Sequence, residues 1–429
     1  MKRLSLIFSL LLVTSALMAQ QTNVRDYITV WMVPNHSDWI YAAGEDIHIE
    51  LSVRRANCAL PEQEVALEWG PELREPEKQW TQATGKNGVV ALKLKGQKAP
   101  GFKTLKASVE YEGKRYTNTI NVAIAPEQIK PTSSLPADFR TFWDNAIAEA
   151  RRVPLKPVMT PRPELSTADY DAYEVCFQND AANHHMYGLL QVPRGHEGER
   201  MPVVIEWPGA GVKPHKGISS PLPEKGYIIL EMGVNGIPVT MNDDVYKELR
   251  YNALADYQTI RLDDRDKYYY KRIYVGTVRT VDFLETLPFV DTDRIAVTGG
   301  SQGGALSIVH AALDKRVKCL SAAYPALCEM AGYRNGRVGG WPGLRELTAQ
   351  QAAVAEYYDV VNFARMLTQP IKLFIGYNDR VCCPTSTYAA YNVVSAQKEL
   401  YVAQDCAHWQ YPEHRVERHL WLSRMLTSK

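Results

Sequence analysis

The segment that most constrains the fold of this chain is the hexapeptide at residues 299–304, which reads Gly-Gly-Ser-Gln-Gly-Gly. An apolar run at residues 294–298 precedes it, and a helix-like run at residues 305–313 follows it. A strand, a Gly-x-Ser-x-Gly turn and a helix together are the context of a nucleophile elbow. We therefore predict that Ser301 lies at the tip of a sharp turn with its hydroxyl exposed. A glycine-rich loop in which Ser301 merely caps the helix is the alternative.

The amino terminus has the pattern of an export signal. Lys2 and Arg3 precede an apolar run over residues 4–18, and Ala19 is a small residue suited to cleavage. We predict a signal peptide over residues 1–19 and a periplasmic or secreted protein without a lipid anchor, since no cysteine lies near the cleavage point. No later segment has the apolar length of a membrane span. The formal net charge of +1 gives no reason to expect a nucleic-acid partner.

The rest of the chain divides into regions with different patterns. Residues 20–125 contain short alternating segments bounded by Gly, Pro and Asn, which predict an immunoglobulin-like β-sandwich with a packing or carbohydrate-contacting role. Residues 126–135 are predicted to be a linker because Pro, Ser and Thr dominate them. In residues 136–429, near-continuous apolar strands alternate with helical stretches. This alternation predicts a mostly parallel sheet covered by helices on both faces.

Within this last region the periodicity assigns individual elements. The predicted strands are residues 187–192, 203–207, 227–231, 295–298, 317–323, 372–375 and 399–403. The predicted helices are residues 137–151, 270–287, 305–313, 359–367, 386–394 and 413–426.

A serine nucleophile needs a base, and the base needs an anion that fixes its tautomer. Asp379 follows the strand predicted at residues 372–375, and His408 follows the strand at residues 399–403. Active sites of open α/β sheets lie at the carboxyl ends of the strands, so Ser301, Asp379 and His408 are expected to meet at one edge. The chain order Ser, Asp, His is that of the α/β-hydrolase fold, which we therefore predict.

Other candidates compete less well for these roles. Asp405 is an alternative carboxylate, but it shares a loop with His408. His414 and His419 are expected on a solvated face of the last helix. The adjacent His184 and His185 lack ligand spacing, so we expect no metal and no cofactor.

The oxyanion that forms on attack must meet preorganised donors. Gln302 offers one backbone N–H at the start of the elbow helix. The second is expected from the loop at residues 208–211, Pro-Gly-Ala-Gly, where we favour the amide of Ala210. A plain glycine turn is the alternative for this loop.

Several segments between residue 135 and the carboxyl terminus carry a shared pattern. They are the elbow itself, Leu135-Pro136-Ala137-Asp138-Phe139, Leu287-Pro288-Phe289-Val290-Asp291, Tyr324-Pro325-Ala326-Leu327-Cys328, Asn362-Phe363-Ala364 and Asp379-Arg380-Val381-Cys382. With these segments the chain resembles the acetyl xylan esterase and cephalosporin C deacetylase family, carbohydrate esterase family seven. The resemblance implies a serine esterase that removes acetyl groups from glycans or oligosaccharides. It also implies the triad Ser301, Asp379 and His408, with oxyanion amides from Gln302 and Ala210.

The chain departs from the usual family pattern at three places. Residues 208–211 stand where His-Gly-Tyr-Gly is usual, residues 235–237 (Asn-Gly-Ile) where Arg-Gly-Gln is usual, and Trp409 where Glu is common. These changes and the added sandwich do not favour the ring-like family assembly, so a homo-oligomer is left open. The alternatives are a general carboxylesterase, a peptidase of the prolyl oligopeptidase type and a non-catalytic carbohydrate-binding protein. The peptidase is disfavoured because about a hundred residues are too few for its propeller-like first domain.

Overall fold

The computed structural model describes residues 27–217, 220 and 222–427. The signal peptide predicted at residues 1–19 lies outside the described residues. None of the helices in these ranges is long and apolar enough to cross a membrane.

The amino-terminal region forms two sheets that pack face to face. Its strands are β1 (Ile28–Pro34), β2 (Ile40–Tyr41), β3 (Ile47–Arg55), β4 (Cys58–Ala59), β5 (Glu64–Pro71), β6 (Lys78–Ala83), β7 (Val89–Leu94), β8 (Gly101–Tyr111) and β9 (Lys114–Ile124). One sheet has the order β1-β3-β4 with β7 also paired to β3, and the other has the order β2-β9-β8-β5-β6. Alternate residues of β3, β5, β7 and β8 are buried in one apolar core between the sheets. The predicted β-rich amino-terminal region is thus a separate sandwich.

The second region contains a single nine-stranded sheet. Its strands are β10 (Val158–Pro161), β11 (Tyr170–Gln178), β12 (His185–Pro193), β13 (Met201–Trp207), β14 (Ile228–Met232), β15 (Val290–Gly300), β16 (Val317–Ala323), β17 (Ile371–Gly376) and β18 (Lys398–Ala403). The order is β10-β11-β12-β14-β13-β15-β16-β17-β18. The pairs from β10 to β14 are antiparallel, whereas every pair from β14 to β18 is parallel.

Helices cover both faces of this sheet. They are α1 (Phe139–Ala150), α2 (Asp243–Tyr251), α3 (Tyr269–Leu284), α4 (Gln302–Leu313), α5 (Ala349–Ala355), α6 (Val360–Ala364), α7 (Pro384–Asn392) and α8 (Pro412–Thr427). Ile295 and Val297 of β15 pack on the side of α4, and Ala296 between them packs on the side of α8. This alternation follows from the pleat of a strand that is buried on both faces.

In the antiparallel start of the sheet, strand β12 was predicted at residues 187–192, but β10 and β11 were not. Strand β11 carries Asp171 and Glu174 within an otherwise apolar pattern, and Glu174 is buried in an ion pair with Arg162 at 2.9 Å. A search for near-continuous apolar runs therefore misses this strand. Helices α2 and α5 were also not predicted, and α6 is shorter than the helix expected at residues 359–367.

Contacts between the two regions reach the edge of the sheet where the predicted site lies. The backbone N–H of Asn121 in β9 donates to Asn378 Oδ1 at 2.8 Å, and its side-chain amide donates to the Tyr377 carbonyl at 2.7 Å. Phe102 of β8 packs edge-on against Tyr377, with ring centroids 5.1 Å apart. The sandwich thereby contacts the loop that carries Asp379.

The segment between the regions is tied to the second one. A buried carboxylate, Glu329, accepts hydrogen bonds from the backbone and hydroxyl groups of Thr132 and Ser133. Arg337 forms an ion pair with the same carboxylate at 2.5 Å.

Candidate active site

Ser301 occupies a strained turn between β15 and α4. Its backbone has φ 59° and ψ −122°, a region that non-glycine residues rarely adopt. Its N–H donates to the Ala323 carbonyl at 3.0 Å, which fixes the turn against β16. The hydroxyl makes no capping hydrogen bond to α4, so Ser301 is not a side-chain helix cap.

Glycines at two positions permit this turn. A Cβ on Gly303 would lie 2.0 Å from the Trp207 carbonyl oxygen, and one on Gly299 would lie 2.5 Å from the carbonyl carbon of Gly303. Neither position can therefore carry a side chain without moving the backbone. The spacing Gly-x-Ser-x-Gly is a steric requirement of the place where β13, β15 and α4 meet.

The three residues predicted to meet at the sheet edge do so. His408 Nε2 lies 3.0 Å from Ser301 Oγ, and His408 Nδ1 lies 2.8 Å from Asp379 Oδ2. This arrangement lets the imidazole donate through Nδ1 to the carboxylate and accept the serine proton at Nε2. Tyr324 covers the imidazole with its ring, at 4.7 Å between centroids.

Asp379 is fully buried, and its second oxygen is also satisfied. Asp379 Oδ1 accepts the backbone N–H groups of Val381 at 2.8 Å and Cys382 at 2.9 Å. The carboxylate is therefore held in one orientation, with Oδ2 facing His408. Cys382 Sγ lies 3.9 Å from Ser301 Oγ, but burial raises the pKa of this thiol well above its usual value. Cys382 thus stays a neutral neighbour of the serine.

Two other polar residues considered from the sequence, Asp405 and His419, have partners of their own. The Asp405 carboxylate accepts the hydroxyl of Tyr411. Our expectation for His419 was wrong, because its side chain is buried between α8 and the sheet, where Nε2 lies 3.2 Å from Glu206 Oε2 of β13. The carboxylate on a neighbouring strand gives this imidazole a polar partner away from water.

Gln302 and Ala210 contribute backbone amides near the elbow. Gln302 is the first residue of α4, and Ala210 lies in the loop after β13. Within the described ranges neither amide has a protein acceptor. This agrees with the oxyanion role that the sequence predicts for both N–H groups.

Two tyrosines that were not predicted join the elbow to this loop. Tyr257 and Tyr270 each donate to Gln302 Oε1 at 2.6 Å. The Tyr257 hydroxyl also accepts the N–H of Gly211 at 3.2 Å. Burial raises the pKa of Tyr257 to about 12, so it remains a neutral donor. Tyr257 therefore couples the position of the Ala210 loop to that of the elbow.

Asn235 supports the same loop from the segment that follows β14. Its side-chain amide donates to the Gly211 carbonyl at 3.3 Å and its Oδ1 accepts the Tyr269 hydroxyl at 3.0 Å. This residue stands where the resembled family usually has arginine. The departure keeps a hydrogen-bond donor next to the loop. The sequence gives one indication of such contacts, because a tyrosine in a buried segment usually needs a hydrogen-bond partner for its hydroxyl group.

The mostly parallel sheet, the strained serine turn and the facing imidazole are the features of a serine hydrolase with the α/β-hydrolase fold. A family model described as acetyl xylan esterase (AXE1) matches residues 125–335 and 343–425. An acetyl esterase, Axe7A, from Xylanibacter ruminicola is 38% identical over 438 residues, covering 99% of this chain and 97% of that protein. The chain belongs to the acetyl xylan esterase family. The sandwich lies outside the family match, but the alignment with the Xylanibacter enzyme spans it.

Solved structures show the same fold for the second region. An acetyl xylan esterase from Paenibacillus sp. R4 is 25% identical with a TM-score of 0.60, over 70% of this chain and 98% of that chain. Acetyl xylan esterase 1 from Thermoanaerobacterium sp. JW/SL YS485 is 23% identical with a TM-score of 0.60, over 70% of this chain and 96% of that chain. The predicted α/β-hydrolase fold is confirmed.

Proposed function

We propose that this chain is an exported serine esterase that releases acetate from acetylated glycans or oligosaccharides. The observation that carries the proposal is the hydrogen-bonded series from Asp379 through His408 to Ser301. The names of the family and of its relatives support an acetyl group as the acyl part of the substrate. The proposed division of the chain is a signal peptide at residues 1–19, a sandwich at 20–125, a linker at 126–135 and the esterase at 136–429.

The first half of the reaction forms an acyl-enzyme. Ser301 Oγ attacks the acetyl carbon while its proton passes to His408 Nε2. The amides of Gln302 and Ala210 donate to the oxyanion of the tetrahedral intermediate. Asp379 stabilises the imidazolium through Nδ1. The intermediate collapses when His408 gives its proton to the sugar oxygen, which leaves with the glycan.

The second half of the reaction uses water in place of the sugar. His408 Nε2 takes a proton from water as the water oxygen attacks the acetyl carbon of the acyl-enzyme. His408 then returns this proton to Ser301 Oγ as the bond between Ser301 Oγ and the acetyl carbon of the second tetrahedral intermediate breaks, which releases acetate. The two halves together consume one acetyl ester and one water molecule, and every proton transfer passes through His408.

Acetate release from a panel of acetylated oligosaccharides tests the proposal, with the Ser301→Ala variant as the matched control. We expect release by the wild type and none above background by the variant. With aryl esters, kcat/KM should decrease stepwise from acetyl to butyryl. The decrease should be moderate, because one methylene in an apolar site changes the binding free energy by only about 1–3 kcal/mol.

Amide substrates separate this proposal from a peptidase. An esterase need not protonate a poor amine leaving group, so proline-containing peptide amides should not be cleaved. Robust peptide cleavage, or a preference for octanoyl over acetyl esters, would overturn the proposal. Covalent labelling of Ser301 by a fluorophosphonate would distinguish an active enzyme from a non-catalytic glycan-binding protein.

A further inference from the structure

A cavity of about 630 Å³ lies between the sandwich and the second region, and we name it the interdomain cleft. Strands β5, β8 and β9 form one side, including Asn121. Asn378 and Arg380 line the other side. These two residues flank Asp379 in the sequence, so the cleft borders the loop that holds the aspartate of the active site.

The cleft carries excess positive charge. Lys106 and Glu68 in its wall pair with each other at 2.9 Å. The other charged side chains of the lining are Arg74, Arg345, Arg380 and Glu75. Three arginines against one glutamate leave a local net charge of +2, whereas the whole chain of 429 residues has a net charge of only +1. The positive charge is therefore concentrated at this place.

Two of the arginines are free to bind an anion. Arg345 and Arg380 are exposed and form no ion pair in the part of the chain that the structure describes. The Arg345 guanidinium lies 4.5 Å from the ring centroid of Tyr333, which restrains its plane. A restrained guanidinium presents paired N–H donors that fit the two oxygens of a carboxylate.

The volume and polarity of the cleft fit part of a glycan. Ligand sites commonly measure roughly 300–1,000 Å³, and this cavity lies within that range. Its lining also includes Thr104 and Thr119, whose hydroxyl groups suit the hydroxyls of sugars. An extended glycan bound at Ser301 can continue into a neighbouring cleft, whereas an isolated acetyl group cannot.

We propose that the interdomain cleft binds a carboxylate-bearing sugar unit, a uronic acid, of the same acetylated glycan that reacts at Ser301. This proposal rests on the proposed function. Arg345 and Arg380 hold the carboxylate, and the sandwich supplies the opposite wall. The amino-terminal region thereby contributes to substrate selection by an esterase whose catalytic residues all come from the second region.

The test compares acetylated xylo-oligosaccharides that differ only in carrying a uronic acid. In Arg345→Gln, KM for the acidic substrate should rise by about two- to fivefold, as expected for one exposed ion pair. Arg345→Gln combined with Arg380→Gln should raise it by about tenfold, and both effects should shrink in high salt. KM for the neutral substrate and kcat for an aryl acetate should not change. Arg152→Gln, an exposed arginine outside the cleft, is the matched control.

Binding without turnover keeps this test separate from that of the proposed function. Calorimetry with the Ser301→Ala variant should show that the deacetylated acidic oligosaccharide binds more tightly than the neutral one. The arginine substitutions should remove this difference in affinity. Equal effects of the substitutions on both glycans, or no effect, would overturn the cleft proposal. Equal binding of an acidic peptide would also overturn it. If wild type released no acetate from either glycan, the proposed function would fail instead.

Discussion

The link between Tyr257 and the loop that carries Ala210 leads to a specific prediction, because Tyr270 provides a matched control. Both hydroxyls donate to Gln302 Oε1 at 2.6 Å, and both side chains are buried. Replacing either by phenylalanine keeps the ring and leaves Gln302 Oε1 with one donor. The difference is that Tyr257→Phe also deprives the Gly211 N–H of its acceptor.

The expected magnitudes follow from this difference. A lost hydrogen bond costs about 1 kcal/mol, so Tyr270→Phe should lower the free energy of unfolding by about 1 kcal/mol. Tyr257→Phe loses two hydrogen bonds and should lower it by about 2 kcal/mol. In the reaction, complete loss of one oxyanion donor costs about 10²–10³ in kcat. Partial displacement of the loop that carries Ala210 should therefore reduce kcat by about 10- to 100-fold in Tyr257→Phe.

Steady-state kinetics with an aryl acetate, well below the unfolding temperature of each variant, measure this effect. The loss in Tyr257→Phe should appear in kcat with little change in KM, since the donors act on the transition state. In Tyr270→Phe, kcat should stay within about threefold of wild type, less than a 1.4 kcal/mol effect. Equal kcat values for the two folded variants would refute the role given to Tyr257 and to the Ala210 loop.

Three further predictions concern the triad and one buried carboxyl group. Ser301→Ala and His408→Ala should each reduce turnover by roughly 10³-fold or more. The double variant should lose no more than either single variant, because the residues act as a unit. A Ser301→Ala variant that kept a tenth of the wild-type rate would contradict this. Asp379→Asn should cost up to about 10⁴-fold by favouring the wrong imidazole tautomer, whereas Asp405→Asn should cost little, and kinetics in the opposite order would make Asp405 the acid member. Burial raises the pKa of Glu72 from 4.5 to about 8. The protonated carboxyl group therefore makes its full contribution to the free energy of unfolding below pH 4.5, and this contribution is lost as the pH rises through 8. Between pH 4.5 and 7 the free energy of unfolding should fall by about 3 kcal/mol for this reason. Denaturant unfolding of Glu72→Gln should not show this fall. The same pH dependence in the variant and the wild type would contradict the raised pKa of Glu72.

The elements of the parallel sheet could be predicted because each is a short apolar run of its own. Strand β17 is buried at every residue, as a central parallel strand should be. The fold then follows from the order of strands and helices, and it places the residues after β15, β17 and β18 at one edge. Strand β11 could not be recognised from its own sequence, since the buried Glu174 depends on partners elsewhere in the chain: Arg162 pairs with Oε1, and the N–H groups of Val239 and Thr240 donate to Oε2.

The juxtaposition of Ser301, Asp379 and His408 could be predicted because all three follow strand ends. The contacts that support them could not, because their partners are distant in sequence. Tyr257 reaches Gln302 across 45 positions, and Asn121 reaches Asn378 across 257. No local pattern encodes such pairs. They depend on how loops lie over the finished sheet.

The sandwich contacts both ends of the loop that carries Asp379. Asn121 bonds to Asn378 and Tyr377, which directly precede Asp379. Glu72, also from the sandwich, accepts the N–H of Thr385 at the start of α7. The loop that presents the aspartate to His408 is therefore supported from both ends by a region that supplies none of the proposed catalytic residues. The amino-terminal sandwich is thus part of the structural frame of the site, because its removal would leave these groups without their partners.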